Sequence, residues 1–435
     1  MTQWRTTAAL RRALALTGFG FAYAIVLQAP VVVVLVSPFL LLAALGLLQR
    51  PASEPQVRVD LRHRVLHEGT GTVSDLAIDD ASDIEQVTRS AALTPFVARR
   101  PSQGSVAGLV GDPASVRLEL SPRRWGRVDL GNEEVALTTA WGGYRWGPVR
   151  VTGRSLSVLP TTAPFDSRAE APLPLGLVGP YRSRRPGTGT ELAGIRPFVP
   201  GDRLRRVNWR VSLRARALHV VDALAETDTG VLLVVDALAD LGRSEGVDGR
   251  ASSLDRTVRA AAALAEHHVR QGDRVALRVV GGAGRSVGYG TGTRHLRVLL
   301  HALADVRPGV PRDLPDHGLQ LGASMGTEVL ILSTLLQPAM VNTAALLTAR
   351  GLPVLVIDTL PEGGLVDVVW SDAGGQRQQA IAATAWRMRR LERDLLLERL
   401  SRTGCPVVPW RGPGTLDDVL RRLARRAQLP RVVGR

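Results

Sequence analysis

The sequence contains no lysine; all 55 basic residues are arginine. That absence excludes several chemistries at once. A Walker A loop needs a lysine to reach nucleotide phosphates, a protein kinase needs its strand lysine, and Schiff-base or pyridoxal enzymes need an amine. Cysteine is nearly absent as well. Cys405 stands alone, which rules out an intrachain disulfide framework and a CxxC metal site. The 8 histidines are scattered and do not restore a zinc signature. Acidic residues number 40, so the net charge is +15. The excess of Arg, Ala, Gly and Pro looks like a GC-rich coding bias, so any one arginine carries less functional information than usual. What remains, at 45% hydrophobic and 22% charged, is an ordered globular composition with one oily segment. A chain of 435 residues suggests about three domains at roughly 150 residues each.

The oily segment is 13–48, without a charged residue, preceded by Arg5, Arg11 and Arg12 and followed by Arg50. As one helix it would rise about 54 Å, against a hydrocarbon core of about 30 Å. Two helices fit better, and Gln28-Ala29-Pro30 is the natural break because Pro30 disfavours a continuing helix. The reading is a transmembrane helical hairpin, about 13–28 and 31–48. Arginine at both outer ends and none in the turn places both ends in the cytoplasm, giving a two-pass protein of the cell membrane with cytoplasmic soluble domains. Ala22-Tyr23-Ala24 offers leader-like spacing, but the apolar run continues two dozen residues past it, which a removed leader would not need.

Residues 51–56 are a polar linker. From Val57 the period becomes two: Val57, Val59 and Leu61 alternate with polar residues, as do Val116, Leu118 and Leu120 and the stretch 149–158. Short alternating runs between Gly, Pro and Asp predict an antiparallel β-sandwich over 51–165, with only a weak helical signal at 80–95. A Pro-, Gly- and Arg-rich stretch at 161–190 reads as an extended connector. Beyond 226 the pattern is α/β. Val231–Val235 is a continuous apolar run ending in Asp236, as in a strand buried on both faces. Ser252 and Asp255 open a capping box for an Ala-rich helix to about Arg270. Strands at 274–280, 328–332, 353–358 and 406–409 alternate with helices at about 294–305, after Pro338, at 376–402 and at about 416–426. Such alternation predicts a parallel, Rossmann-like sheet with helices on both faces. The domains are therefore 1–50, 51–165, an Arg-rich junction at 166–225, and 226–435.

Few motifs survive scrutiny. Gly322-Ala323-Ser324-Met325-Gly326 matches GxSxG, but nothing strand-like leads into it and no His follows His317, so a hydrolase triad cannot be assembled. His267 and His268 are adjacent on the Ala-rich helix, point in different directions and read as a solvated face. The charge-laced 386–402 is explained by packing and i, i+4 pairing. The densest signal is 181–216, with ten Arg against Glu191 and Asp202 and with Tyr181, Phe198 and Trp209 interleaved. It reads as a junction whose arginines pair internally and stack on Trp209, the indole burying against a sheet edge to fix an interdomain angle. Asp202 in its Pro-Gly-Asp turn would orient neighbouring arginines. The alternative is a patch for polyanions, nucleic acid or acidic lipid.

The same stretch carries a long pattern: Arg196-Pro197-Phe198, then Pro200-Gly201-Asp202-Arg203, then Arg206-Val207-Asn208-Trp209-Arg210 and Leu213-Arg214, followed by the strand ending in Asp236. It resembles the signature of the Domain of Unknown Function 58 family. Pro122-Arg123-Arg124-Trp125-Gly126 and Trp146-Gly147-Pro148 also look like that family's β-domain. The resemblance implies a C-terminal von Willebrand factor A-like domain, a MoxR-type AAA+ ATPase as partner, and adaptor or assembly-factor work. It also implies a metal-ion-dependent adhesion site of the form Asp-x-Ser-x-Ser, and here the chain departs: Asp236-Ala237-Leu238-Ala239-Asp240 retains the first acid but carries Leu238 and Asp240 at the hydroxyl positions. A hard divalent cation needs several oxygens in near-octahedral geometry, so Asp236 and Asp240 are expected to be a degenerate remnant holding no metal. No cofactor and no nucleic acid partner is expected. The expectation is a non-catalytic membrane-anchored adaptor binding through Asp202, Arg206, Trp209, Arg210 and Arg214; the runner-up is a membrane-tethered polyanion binder.

Overall fold

A computed structural model describes residues 4–51, 53–79, 83–161, 182–199, 204, 207–226, 230–311, 319, 321–323, 327–361 and 376–411. The chain divides into two compact units, one of Met1–Leu159 with Gly246–Asp248, the other of Pro160–Glu245 with Gly249–Arg435.

The first unit opens with a two-residue strand β1 (Arg5–Thr6) and two helices, α1 (Ala8–Val26) and α2 (Pro30–Leu48). Each helix has 19 residues, a rise of about 28 Å. Both are long and apolar enough to cross a membrane. The break falls where the sequence put it, with Gln28 at φ 47° and Pro30 opening α2. The outer boundary of α1 is earlier than expected. The Thr7 side chain accepts from Leu10 N, so the helix begins at Ala8 and takes Arg11 and Arg12 into its first turns. Gly20 allows the two helices to touch: a Cβ there would meet Val36 Cγ2 at 2.2 Å.

Eleven further strands complete this unit: β2 (Gln56–Leu61), β3 (Val65–His67), β4 (Thr72–Asp79), β5 (Ile84–Ala91), β6 (Val97–Arg100), β7 (Ser105–Leu109), β8 (Leu118–Pro122), β9 (Gly126–Asp129), β10 (Glu133–Thr139), β11 (Tyr144–Val151) and β12 (Ser155–Leu159). They form sheets of order β1-β11-β10-β5-β7, β2-β4-β8-β6 and β3-β12-β9, antiparallel except for β3 with β12. The weak helical signal at 80–95 is overturned. Residues 84–91 are strand β5, because Val87 and Thr88 suit a pleated surface and the whole run pairs with β10. Val87, Val135 and Leu137 are buried in one apolar cluster, and Leu118, Leu120 and Leu156 in another.

In the second unit, β13 (Arg182–Pro197) and β14 (His219–Glu226) make a two-stranded antiparallel ribbon, with α3 (Trp209–Ala215) between them in sequence. The expected connector at 161–190 is thus strand from Arg182 onward; 162–181 lies outside the described residues. The remainder alternates: β15 (Gly230–Asp236), α4 (Ser253–Arg270), β16 (Arg274–Val280), β17 (Val287–Gly290), α5 (Gly292–Ala304), β18 (Glu328–Ser333), α6 (Pro338–Ala349), β19 (Val354–Asp358), α7 (Gln376–Arg402) and β20 (Val407–Pro409). The sheet order is β17-β16-β15-β18-β19-β20, parallel except for β17. Every residue of β15 is buried, as its unbroken apolar run requires. The capping box at the start of α4 forms in both directions between Ser252 and Asp255. The helix expected at 416–426 lies outside the described residues.

Candidate binding site at the carboxyl ends of the parallel sheet

In an open parallel sheet, ligands bind at the carboxyl ends of the strands where the strand order reverses. Here β16 lies on one side of β15 and β18 on the other, so the reversal falls between the ends of β15 and β18. Those ends carry Asp236 and Ser333.

Asp236 is 6% exposed and Ser333 is fully buried. The Ser333 hydroxyl donates to Asp236 Oδ2 at 2.5 Å, and the Leu238 N–H donates to Oδ1 at 3.0 Å. The Ser333 oxygen in turn accepts from Leu335 N at 2.9 Å, with Leu335 held at φ 56°. Burial pushes the Asp236 carboxyl above its ordinary value; the bonds from Ser333 and Leu238 pull it back in part. Both carboxylate oxygens are thus engaged by neutral protein donors.

Asp240, the second half of the expected remnant, is used elsewhere. Its Oδ1 accepts from Leu254 N at 3.1 Å, at the start of α4. A third acid, Asp358, ends β19 and pairs with Arg393 of α7. Arg393 is 7% exposed and also donates from Nε to the Thr334 carbonyl at 2.8 Å. It therefore ties the loops after β18 and β19 to one helix. Thr257 and Thr359 share a buried hydroxyl contact at 2.7 Å. Among the described residues no three His, Cys, Asp or Glu side chains converge.

Sequence reasoning found Asp236 but missed Ser333, Asp358 and Arg393. Arg393 was hidden among the many arginines of α7, and only its place opposite the end of β19 distinguishes it.

The junction residues separate. Asp202 and Arg206 lie outside the described residues. Trp209, Arg210 and Arg214 share α3, whose cap is Asn208: its side chain accepts from Val211 N at 3.2 Å, and its own N–H donates to the His219 carbonyl at 2.8 Å. The Asn-Trp pair of the motif thus sets a helix start against β14. The burial expected for Trp209 is corrected. It is 61% exposed, because it is the first residue of a seven-residue helix whose one buried residue is Ser212. Arg210, Arg214 and Arg216 are exposed too. Leu213, one turn from Trp209, is 77% exposed and was not singled out from the sequence. His268 is a second correction: it is buried, not solvated, with Nδ1 2.8 Å from Asp273 Oδ2. The Ser of the GxSxG match lies outside the described residues.

The sheet order and the alternation of strands with helices make this part of the second unit an open-sheet α/β fold. A family model described as "Protein of unknown function DUF58" matches residues 194–394, just under half of the chain. Curated relatives are the "Uncharacterized protein Mb1516" of Mycobacterium bovis and the "Uncharacterized protein Rv1480" of Mycobacterium tuberculosis. Each is 31% identical over 129 residues, which is 29% of this chain and 40% of the relative.

Proposed function

We propose that this is a membrane-anchored, non-catalytic adaptor. In this reading α1 and α2 cross the cell membrane with both ends cytoplasmic, the first unit's sheets pack as a β-sandwich, and the second unit is von Willebrand factor A-like. Its partner is an AAA+ ATPase of MoxR type, engaged in assembly or maturation of other proteins. The observation that carries the interaction reading is on α3: Trp209 and Leu213 stand exposed one turn apart, flanked by Arg210 and Arg214. Tryptophan and arginine are the residues over-represented where binding energy concentrates. The Asp236 site supports the non-catalytic part. A general acid or base must reach its substrate's proton, whereas both Asp236 oxygens are occupied and buried.

The test is capture of the MoxR-type ATPase from the same genome by the intact protein in mild detergent. Trp209→Ala with Leu213→Ala should abolish capture while leaving the melting temperature unchanged. Unchanged capture would remove α3 from the interface. The exposure of Arg210, Arg214 and Arg216 favours one second reading, a polyanion binder. That reading requires a steep fall of affinity with salt, since counterion release dominates such binding.

A further inference from the structure

The turn between β10 and β11 is built against the ends of the helical pair. The Thr7 N–H donates to the Gly143 carbonyl at 3.0 Å, and its hydroxyl donates to the Gly142 carbonyl at 2.6 Å. Gly143 and Gly46 meet backbone to backbone: a Cβ on Gly143 would lie 2.9 Å from Gly46 Cα. Leu10, Ala13, Ala43 and Tyr144 close a small apolar cluster over this contact. The turn is therefore held beside the outer ends of α1 and α2, where a bilayer's headgroup region would lie.

At this end of the sheet two large apolar side chains face solvent. Trp141 is 55% exposed, on a backbone at φ 59° that a bulky residue rarely adopts. Leu109, at the end of β7, is 52% exposed. Charge is arranged around them. Arg5 of β1 lies directly opposite Arg145 of β11, so two like charges share one face at neighbouring positions. Such a pair is unfavourable unless an anion lies between the guanidinium groups. Arg11, Arg12 and Arg50 are exposed at the helix ends beside them. The acids of this rim are Asp83 and Glu85 at the start of β5 and Asp112 just past β7; β5 is three strands from β1 and so about 14 Å away, and β7 is one strand farther.

We propose that this end of the first unit is a second membrane contact: Trp141 and Leu109 enter the interfacial layer, and Arg5 and Arg145 together hold the phosphate of an acidic phospholipid. Tryptophan is enriched at that depth because its ring is apolar and its N–H polar. Anionic lipid attracts such juxtamembrane arginines. The contact would fix the first unit against the bilayer instead of leaving it on a tether. It rests on the reading of α1 and α2 as membrane-spanning.

The experiment places one spin label at a time in the full-length chain, with Cys405→Ser removing the native thiol, in phosphatidylcholine vesicles with and without phosphatidylglycerol. Labels go at Trp141→Cys, at Leu41→Cys in α2, and at Leu93→Cys. Leu93 is 84% exposed and follows the far end of β5, about 24 Å along the strand from the turn. With phosphatidylglycerol, the label at 141 should be several-fold less accessible to a water-soluble nickel reagent than the label at 93. Arg5→Gln with Arg145→Gln should return it towards the value at 93. If 41 reads as hydrocarbon while 141 matches 93, the contact does not exist. If 141 is shielded equally without phosphatidylglycerol and ignores the arginine changes, the acidic-lipid site is wrong. If 41 itself reads as aqueous, the membrane-spanning reading fails and takes this proposal with it.

Discussion

Each unit buries a carboxylate in its core, and the two are handled in opposite ways. In the first unit Glu133 meets Arg89 in a two-pronged ion pair, Nε to Oε2 at 2.6 Å and Nη2 to Oε1 at 3.0 Å, with side-chain exposures of 4% and 0%. Arg89 spends its remaining donors on the Ser74 and Val116 carbonyls and the Ser74 hydroxyl, so it joins β4, β5, β10 and the turn before β8. In the second unit Asp236 meets a hydroxyl and an amide and, among the described residues, no cation. A charge-matched buried pair is a structural clamp. A buried acid held by neutral donors keeps a raised pKa, because burial raises it by more than the hydrogen bonds lower it.

The sharpest way to break this contrast is at Arg89. Arg89→Met leaves Glu133 buried without its hydrogen-bonded partner, and should cost about 3–5 kcal/mol. The measure is denaturant unfolding followed by hydrogen exchange in β5 and β10, which localises the loss to the first unit. Arg89→Met with Glu133→Met should recover much of that loss, since two apolar residues replace a satisfied pair at little net cost. Equal destabilisation in the single and double variants would mean that the pair acts through packing and not through charge.

Asp236 should respond more gently and with a pH signature. Ser333→Ala removes one donor and should cost about 1–3 kcal/mol near neutral pH. Asp236→Asn tests the sign. Because the folded-state pKa is raised, the folded protein binds more protons than the unfolded chain between the ordinary carboxylate range and the raised value. Stability from this group therefore falls as pH rises through that window, and the penalty is complete above it. The stability of Asp236→Asn relative to the natural protein should accordingly be greater at neutral pH than in acid below the carboxylate range. A flat difference across pH would show that Asp236 titrates as an ordinary surface acid.

Such contrasts also mark what a sequence can and cannot reveal. The two apolar helices, the capping box at Ser252 and the strand positions from Arg274 to Pro409 were legible, because period, caps and breakers are local signals. Strand β5 was harder: Ile84, Val87 and Arg89 turn inward on a spacing that begins at three and ends at two, and an arginine at a core position breaks the expected alternation. The partnership of Asp236 with Ser333 spans 97 residues, and that of Arg393 with Asp358 depends on where α7 crosses the sheet. No window of sequence contains these partnerships. At Trp209 the motif located a structured element, but the side chain's direction followed from the Asn208 cap, and an indole expected to bury against a sheet edge stands in solvent.

A further buried acid adds to the comparison through its cap. Asp255 has no exposed surface. It sits in the first turn of α4, where its Oδ2 accepts from Ser252 N at 3.3 Å and its own N–H donates to Ser252 Oγ at 3.2 Å. The partial positive charge of the helix start favours a carboxylate there. Ser252→Ala deletes one arm of the reciprocal cap and should cost about 1 kcal/mol, less than Ser333→Ala, because the helix end continues to compensate Asp255. The same denaturant unfolding measures both variants. If Ser252→Ala proved the more costly of the two, the cap hydroxyl and not the helix end would be the group that holds Asp255 in place.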